Sequence, residues 1–291
     1  MTHGIEPGTL EDRAVGALVG LAVGDALGTS VEFKPRGTFT PVTGMRGGGA
    51  FDMPVGGWTD DTSMALALGE ALLQDRALSD AATVMNRWLN WWQYGQYSHT
   101  GDCFDIGNQT ASALGVWRDQ SKLPEHEGWS AGNGGIMRLA PVVLVHLDDL
   151  STAATIAQRQ SDFTHRNAIC RQIAVGLATT LFRLIHGEMA EIVPSNIASR
   201  EEAEVKSTGY VLDTFEAALW AFAPTDGFAS IVLRAVNLGD DADTVGAVTG
   251  QIAGARYGLS GIPTEWVEAL IWRDDIIKLG RTLYQLSQTR G

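Results

Sequence analysis

Apolar residues along this chain recur at three- and four-residue intervals in segment after segment, and they rarely alternate in twos. That spacing predicts helices over Leu10–Leu27, Thr62–Leu73, Ser79–Trp92, Gly107–Arg118, Gly135–His146 and Ser151–Ser161. It predicts further helices over Arg166–His186, Tyr210–Phe222, Gly227–Asn237, Asp243–Tyr257 and Pro263–Leu286. Ala, Leu, Gln and Arg fill these stretches, as helix propensity prefers. The best strand pattern, Phe39–Val42, is short and isolated. The expectation is an all-α protein, a compact orthogonal helical bundle. No long proline-, serine- or charge-rich linker divides it, so residues 1–291 are expected to form a single domain. Lys34–Trp58 is a long glycine-rich loop, Ser121–Gly132 a polar one, and Pro194–Gly209 a solvated connector or exposed helix.

Composition narrows the function classes. At 291 residues and 45% hydrophobic, the chain can bury a full core. Its net charge of −13 leaves no basic stripe to displace counterions, which excludes nucleic-acid backbones and disfavours anionic membranes. With only Cys103 and Cys170, neither a disulfide framework nor a Cys-rich zinc site is available. Both are expected to be reduced, buried thiols of a cytoplasmic protein. The first apolar run, Ala14–Gly24, is too short to span a bilayer, and Glu6, Glu11 and Asp12 ahead of it are unlike an export signal. Its stripe Gly16, Gly20, Gly24, Gly28 has a counterpart at Gly246, Gly250, Gly254, Gly258. The two striped helices are expected to pack in direct contact.

Candidate chemistry sits in two acidic clusters, Thr59-Asp60-Asp61-Thr62 and Asp240-Asp241-Ala242-Asp243-Thr244. Each follows glycine and opens an apolar helical run. Two readings compete. Asp and Thr are the usual N-cap residues, because they accept bonds from free backbone amides. A cap needs one side chain, however, and adjacent carboxylates repel unless a cation lies between them. Converging oxygen ligands of this kind suit Mg²⁺ or Mn²⁺ rather than Zn²⁺.

Other segments are less decisive alone. In Ser130-Ala131-Gly132-Asn133-Gly134-Gly135-Ile136-Met137-Arg138, glycines before an apolar helix suggest an anion site. Arg138 there would pair with a phosphate or carboxylate, or else make a structural salt bridge. Asp25 reads as a helix-terminal polar residue, Glu32 as a surface carboxylate, Asp105 as an N-cap and His165 as a helix-terminal structural histidine. Trp88, Trp91, Trp92, Tyr94 and Tyr97 form an aromatic patch assigned to core and subunit contact. The clusters lack the EF-hand's spacing, and neither a serine elbow nor a His-Glu-x-x-His pair occurs. The Asp-Asp-x-x-Asp of isoprenoid-diphosphate enzymes is likewise missing from Asp60–Met64.

Taken in order, these pieces resemble the ADP-ribosylglycohydrolase family, which includes dinitrogenase reductase-activating glycohydrolases and vertebrate ADP-ribosyl-arginine and ADP-ribosyl-serine hydrolases. The resemblance rests on Gly24-Asp25-Ala26-Leu27-Gly28 with Glu32, Thr59–Thr62, Ser130–Arg138, Thr164-His165, Gly209-Tyr210 and Gly239–Thr244. It implies an all-α domain whose binuclear centre of two Mg²⁺ or Mn²⁺ ions is held by Thr59, Asp60, Asp61, Asp241, Asp243 and Thr244. It implies that Gly132, Asn133, Gly134 and Gly135, with Ser130 and Met137, wrap a diphosphate, and that Tyr210 stacks on adenine. Asp105 and Asn108 would line the distal ribose, and His165 would support ribose or phosphate. The implied reaction is hydrolysis of the bond joining ADP-ribose to a protein side chain, arginine first, by water polarised at the metal pair. Asp60 or Asp61 is the expected base, Glu32 the rival, and carboxylates including Asp105 would stabilise the developing oxocarbenium charge. The alternatives are a serine-linked or small ADP-ribosyl substrate, or a module that binds ADP-ribose without cleaving it.

Overall fold

The computed structural model describes residues 4–125, 130–224 and 226–289, and the helical spacing of the sequence becomes a chain of α-helices. They are α1 Leu10–Gly28, α2 Asp60–Gln74, α3 Ala82–Tyr94, α4 Asn108–Gln120, α5 Ala140–Val145, α6 Leu150–Asp162 and α7 Ala168–Ile185. The series continues with α8 Ser195–Ala198, α9 Val211–Phe222, α10 Phe228–Val236, α11 Ala242–Tyr257, α12 Thr264–Ala269 and α13 Arg273–Gln288. Among the described residues no strand forms, only the isolated bridges Gly48–Met53 and Gly132–Tyr210. The predicted polar loop Ser121–Gly132 lies partly outside the described residues, at 126–129.

Helices α1 and α11 are apolar on every side and buried along nearly their whole length, which suits a central pair. They run antiparallel with their backbones almost touching. A Cβ on Gly16 would strike Gly254 and Gly258; on Gly20, Gly250; on Gly24, Gly246; and on Gly28, Ala242 and Asp243. The expected contact of the two glycine stripes is therefore present. The antiparallel pairing has a positional consequence: the C-terminal end of α1 meets the N-terminal end of α11. Asp25, one turn from the end of α1, thus comes beside Asp243 at the start of α11. The surrounding helices cover this pair, with α13 and α2 packed on α1 and α7, α9 and α10 packed on α11. Helix α7 is long and apolar enough to cross a bilayer, yet half of it is buried against these neighbours.

Three predicted elements are corrected. Phe39–Val42 is not a strand; the backbone of Val42 is satisfied by a side chain, donating to Asn237 Oδ1 at 2.8 Å and accepting from Asn237 Nδ2 at 3.0 Å. Gly135–His146 is not one helix. A 3₁₀ turn at Asn133–Gly135 precedes α5, whose Pro141 has no N–H with which to extend a helix back through Met137. The segment Pro263–Leu286 breaks into α12 and α13 at Trp272, which adopts φ 59°. Trp88 and Trp91 are core residues as expected, whereas Tyr94 is 73% exposed.

Candidate metal centre

Helix α2 begins at Asp60, and its N-terminus is capped from another helix. Asp25 accepts hydrogen bonds from the backbone N–H of Thr59 (2.9 Å to Oδ1) and of Thr62 (3.1 Å to Oδ2). It also accepts from both hydroxyls, Thr59 at 2.9 Å and Thr62 at 2.6 Å. Capping by Asp25 releases the cluster's own side chains. Thr59 at the N-cap of α2 and Asp241 at the N-cap of α11 make no side-chain cap bond. The capping explanation of the acidic clusters fails for these two residues.

Those side chains converge instead. Asp243 is the hub, shared by three groups of carboxylates whose ligand atoms lie within 4.8 Å of one another: with Asp25 and Asp61, with Glu32 and Asp241, and with Asp60 and Asp105. The Thr59 hydroxyl is 3.2 Å from Asp243 Oδ2 and 3.3 Å from Asp61 Oδ2, and the Thr244 hydroxyl is 3.4 Å from Asp61 Oδ2. The loop bearing Glu32 is held in place by paired backbone bonds, Phe33 N–H to Asp240 O at 2.7 Å and Asp240 N–H to Lys34 O at 2.9 Å.

Burial and mutual repulsion make this cluster unhappy as bare anions. Desolvation first raises the proton affinity of every member, and neighbouring carboxylates raise it further for all but Asp243, where hydrogen bonds from Thr244, Thr59 and Asp105 oppose the rise. Asp25 is pushed up to about 7, Asp241 to about 8, Asp105 to about 9 and Glu32 to about 12. Asp105 lies against Asp243, and that contact raises the proton affinity of Asp105 while lowering that of Asp243. Glu32 Oε2, Asp61 Oδ1 and Asp243 Oδ1 are buried with no hydrogen-bond partner among the described residues. Unpartnered, buried carboxylate oxygens around a common centre fit a hard divalent cation, which would satisfy them and remove the repulsion together.

Above the cluster opens a cavity of about 380 Å³. Of the residues singled out in the sequence, Glu32, Asp60, Asp105, Asn108, Ser130, Gly132, Asn133, Gly134, Met137, His165, Asp241, Asp243 and Thr244 line it. Thr59 and Asp61 lie beneath its floor, fully buried. Gly135 packs on Ser161 rather than on the cavity. Tyr210 is at the rim, 37% exposed and bridged through its backbone to Gly132.

A scan against protein-family models matches ADP-ribosylglycohydrolase over residues 6–291. This chain belongs to the ADP-ribosylglycohydrolase family. It is 40% identical over 296 residues to the ADP-ribosylarginine hydrolase Tri1 of Pseudomonas putida (strain GB-1), covering 94% of this chain and 78% of that one. It is 33% identical over 283 residues to the ADP-ribosyl-(dinitrogen reductase) glycohydrolase of Rhodospirillum rubrum, covering 90% and 91% of the two chains. Among solved structures, an ADP-ribosylglycohydrolase-related protein complex superposes with a TM-score of 0.82 at 38% identity, covering 96% of this chain and 99% of that one. The family consists of hydrolases, so this glycohydrolase fold is an enzyme's, and its buried carboxylates are a place where a metal could bind.

Several residues of this glycohydrolase differ from their expected roles. Asp25 is in the last turn of α1, as read, but is a buried member of the cluster, and Glu32 is buried there too rather than a surface carboxylate. Asp105 does not cap α4, whose N-cap is Gly107; it takes φ 58° and turns its carboxyl into the cluster. Arg138 donates to no carboxylate among the described residues; it is fully buried behind the cavity, bonded to Gln160 and Thr164. His165 precedes α7, which Asn167 caps. Cys170 is buried, but Cys103 only partly. Asn133, expected to touch ligand, also holds the cluster: its Nδ2 donates to Asp241 Oδ2 at 2.5 Å and to Thr214 Oγ1 at 2.9 Å. Phe33, Gln109 and Thr110 line the cavity without having been singled out. One signal could have flagged Asp25: an isolated charge in a helix that is apolar on every side must be paired when the helix is buried.

Proposed function

We propose that this enzyme hydrolyses the N-glycosidic bond between ADP-ribose and an arginine side chain of a modified protein, releasing ADP-ribose. The observation that carries the reading is Asp243, around which three carboxylate groups converge at the floor of a cavity walled by the Gly132–Gly134 loop. Two Mg²⁺ or Mn²⁺ ions would be held by Thr59, Asp60, Asp61, Asp241, Asp243 and Thr244, within reach of Glu32. When bound, such a pair supplies Lewis acidity to the sugar's hydroxyls and to water.

The chain's own residues do the rest. The glycine loop, with Ser130 and His165 beside it, receives the diphosphate, and Tyr210 at the rim offers its ring to the adenine. Asp105 and Asn108, both lining the cavity, flank the distal ribose. Proton removal from water needs a carboxylate that faces the cavity, so Asp61 beneath the floor is the wrong choice of base. Asp60 and Glu32 both face it, and Glu32 carries an unpartnered oxygen; we assign the step to Glu32. The surrounding carboxylates then stabilise positive charge on the ribose as the bond to nitrogen breaks. The whole chain works as one domain, because the ligands of the centre come from its beginning and its end. Its free thiols accord with a cytoplasmic setting.

The test is incubation with arginine- and serine-linked ADP-ribosylated peptides, reading free ADP-ribose with chelator, Mg²⁺ or Mn²⁺. Release from the arginine peptide is expected, lost in chelator and restored by metal. Asp243→Asn should lower it at least about a hundredfold, since it removes the shared ligand of the centre. No release from the arginine peptide with metal present, or undiminished release in chelator, would overturn the proposal.

A further inference from the structure

A file of hydrogen bonds runs from the core to the cavity wall through Arg138, Thr164 and His165. The Arg138 guanidinium lies 3.9 Å from the Trp88 ring centroid, and none of its N–H groups goes to a carboxylate among the described residues. Nε donates to Gln160 Oε1 at 3.0 Å, Nη1 to Met64 Sδ at 3.5 Å, and Nη2 to the Gln160 carbonyl at 3.3 Å and to Thr164 Oγ1 at 2.7 Å. A guanidinium can only donate, so the Thr164 oxygen accepts. Its hydroxyl proton is left for the other partner at that oxygen, His165 Nδ1, at 2.8 Å. Nδ1 is then the acceptor nitrogen, and the single proton of a neutral ring sits on Nε2.

Nε2 has no hydrogen-bond partner among the described residues, although His165 is only 4% exposed. It faces the glycine loop: a Cβ on Gly134 would fall 2.8 Å from Nε2 and one on Gly132 3.2 Å. His165 also lines the cavity. We propose that Arg138 and Thr164 are positioning residues that fix His165 as a neutral Nε2–H donor aimed at the anionic part of the ligand. The ligand's identity rests on the function proposed above; the tautomer does not.

Burial, and then the Arg138 charge, push the His165 pKa down to about 3, so the ring stays neutral. The arrangement suits a cavity floored by carboxylates. A mobile cation in the wall would be drawn to the acidic cluster, whereas a neutral donor polarised from behind serves an incoming phosphate oxygen. It also removes His165 from proton transfer, because the only basic nitrogen is occupied by Thr164.

The experiment uses the full chain labelled with ¹⁵N-histidine, with His165 assigned by its absence in His165→Gln. At neutral pH, Nδ1 should show the unprotonated shift and Nε2 the protonated one, in wild type and in Thr164→Ser. Thr164→Val should lose this fixed pattern and bind ADP-ribose about tenfold more weakly by calorimetry, with Thr164→Ser near wild type. A protonated Nδ1 in the wild type, or equal ADP-ribose affinity in Thr164→Val, would overturn the proposal. If ADP-ribose fails to bind the wild type, the functional reading falls, while the nitrogen shifts still decide the tautomer.

Discussion

Replacing Gly28 by Ala tests whether the crossing of α1 and α11 sets the metal centre. The added Cβ would sit 2.5 Å from Asp243 Cα and from the Ala242 carbonyl carbon, where ordinary contact begins at 3.4 Å, a shortfall of 0.9 Å. Both obstacles are backbone, so no side chain can swing aside, and the ends of the two helices must part. Overpacking of this kind costs about 1–3 kcal/mol, against which alanine's better helix propensity returns at most about 1 kcal/mol. With the full offset, a net loss of up to about 2 kcal/mol remains, which corresponds to a fall in Tm of up to roughly 8 °C at this chain length. The same displacement acts on the hub ligand, and metal–ligand distances tolerate only about 0.2 Å. Affinity for Mn²⁺ should therefore fall by at least about tenfold, the scale seen when a mere supporting residue is lost.

Thermal melts with and without Mn²⁺, and calorimetric Mn²⁺ titration, read both effects. Gly115→Ala is the control, because a Cβ there meets nothing within 4 Å and its position is helical. It should be neutral or stabilising by up to about 1 kcal/mol. If Gly28→Ala melts like Gly115→Ala and binds Mn²⁺ as tightly as wild type, the crossing does not set the centre.

Chelated protein should lose stability as pH rises from about 4 to 9. The cluster's folded pKa values lie above the unfolded carboxylate value, so their contribution is fully present below the unfolded pKa and disappears as pH passes about 7 for Asp25, 8 for Asp241 and 9 for Asp105. Melts in saturating Mg²⁺ should not show this fall, and a pH-independent Tm in chelator would contradict the account. Glu32→Gln should cut kcat while leaving Mn²⁺ binding within a few-fold of wild type; a normal kcat would return proton removal to Asp60. Tyr210→Ala should raise KM about tenfold with kcat little changed, since an aromatic–base stack is worth about 1–3 kcal/mol. Unaltered KM would move the adenine elsewhere along the rim. Asn133→Ala should weaken Mn²⁺ binding as well as ADP-ribose binding, because Asn133 donates to Asp241 and lines the cavity; loss of ligand binding alone would separate the two roles.

Local chemistry was enough to find the helices, the two glycine stripes and the two acidic clusters, because each is a pattern of neighbours in the chain. Ordered along the sequence, the same motifs pointed to the glycohydrolase family. Element boundaries were legible except where a single residue intervened, as Pro141 and Trp272 do. Residues whose roles depend on partners far away were misread from local chemistry alone, although the family resemblance had already placed Glu32 and Asp105 in the site. Asp25 looked like a helix end, yet it caps a helix that begins 35 residues later; Glu32 and Asp105 looked exposed or capping, yet both turn inward to Asp243. Arg138 looked like an anion ligand, yet it sits behind the wall and acts through Thr164. A sequence reports which side chains can ionise or donate, since that is intrinsic to each residue. Which carboxylates share one desolvated space, and which nitrogen of an imidazole keeps its proton, is settled only when α1 and α11 cross and bring distant segments within hydrogen-bond range.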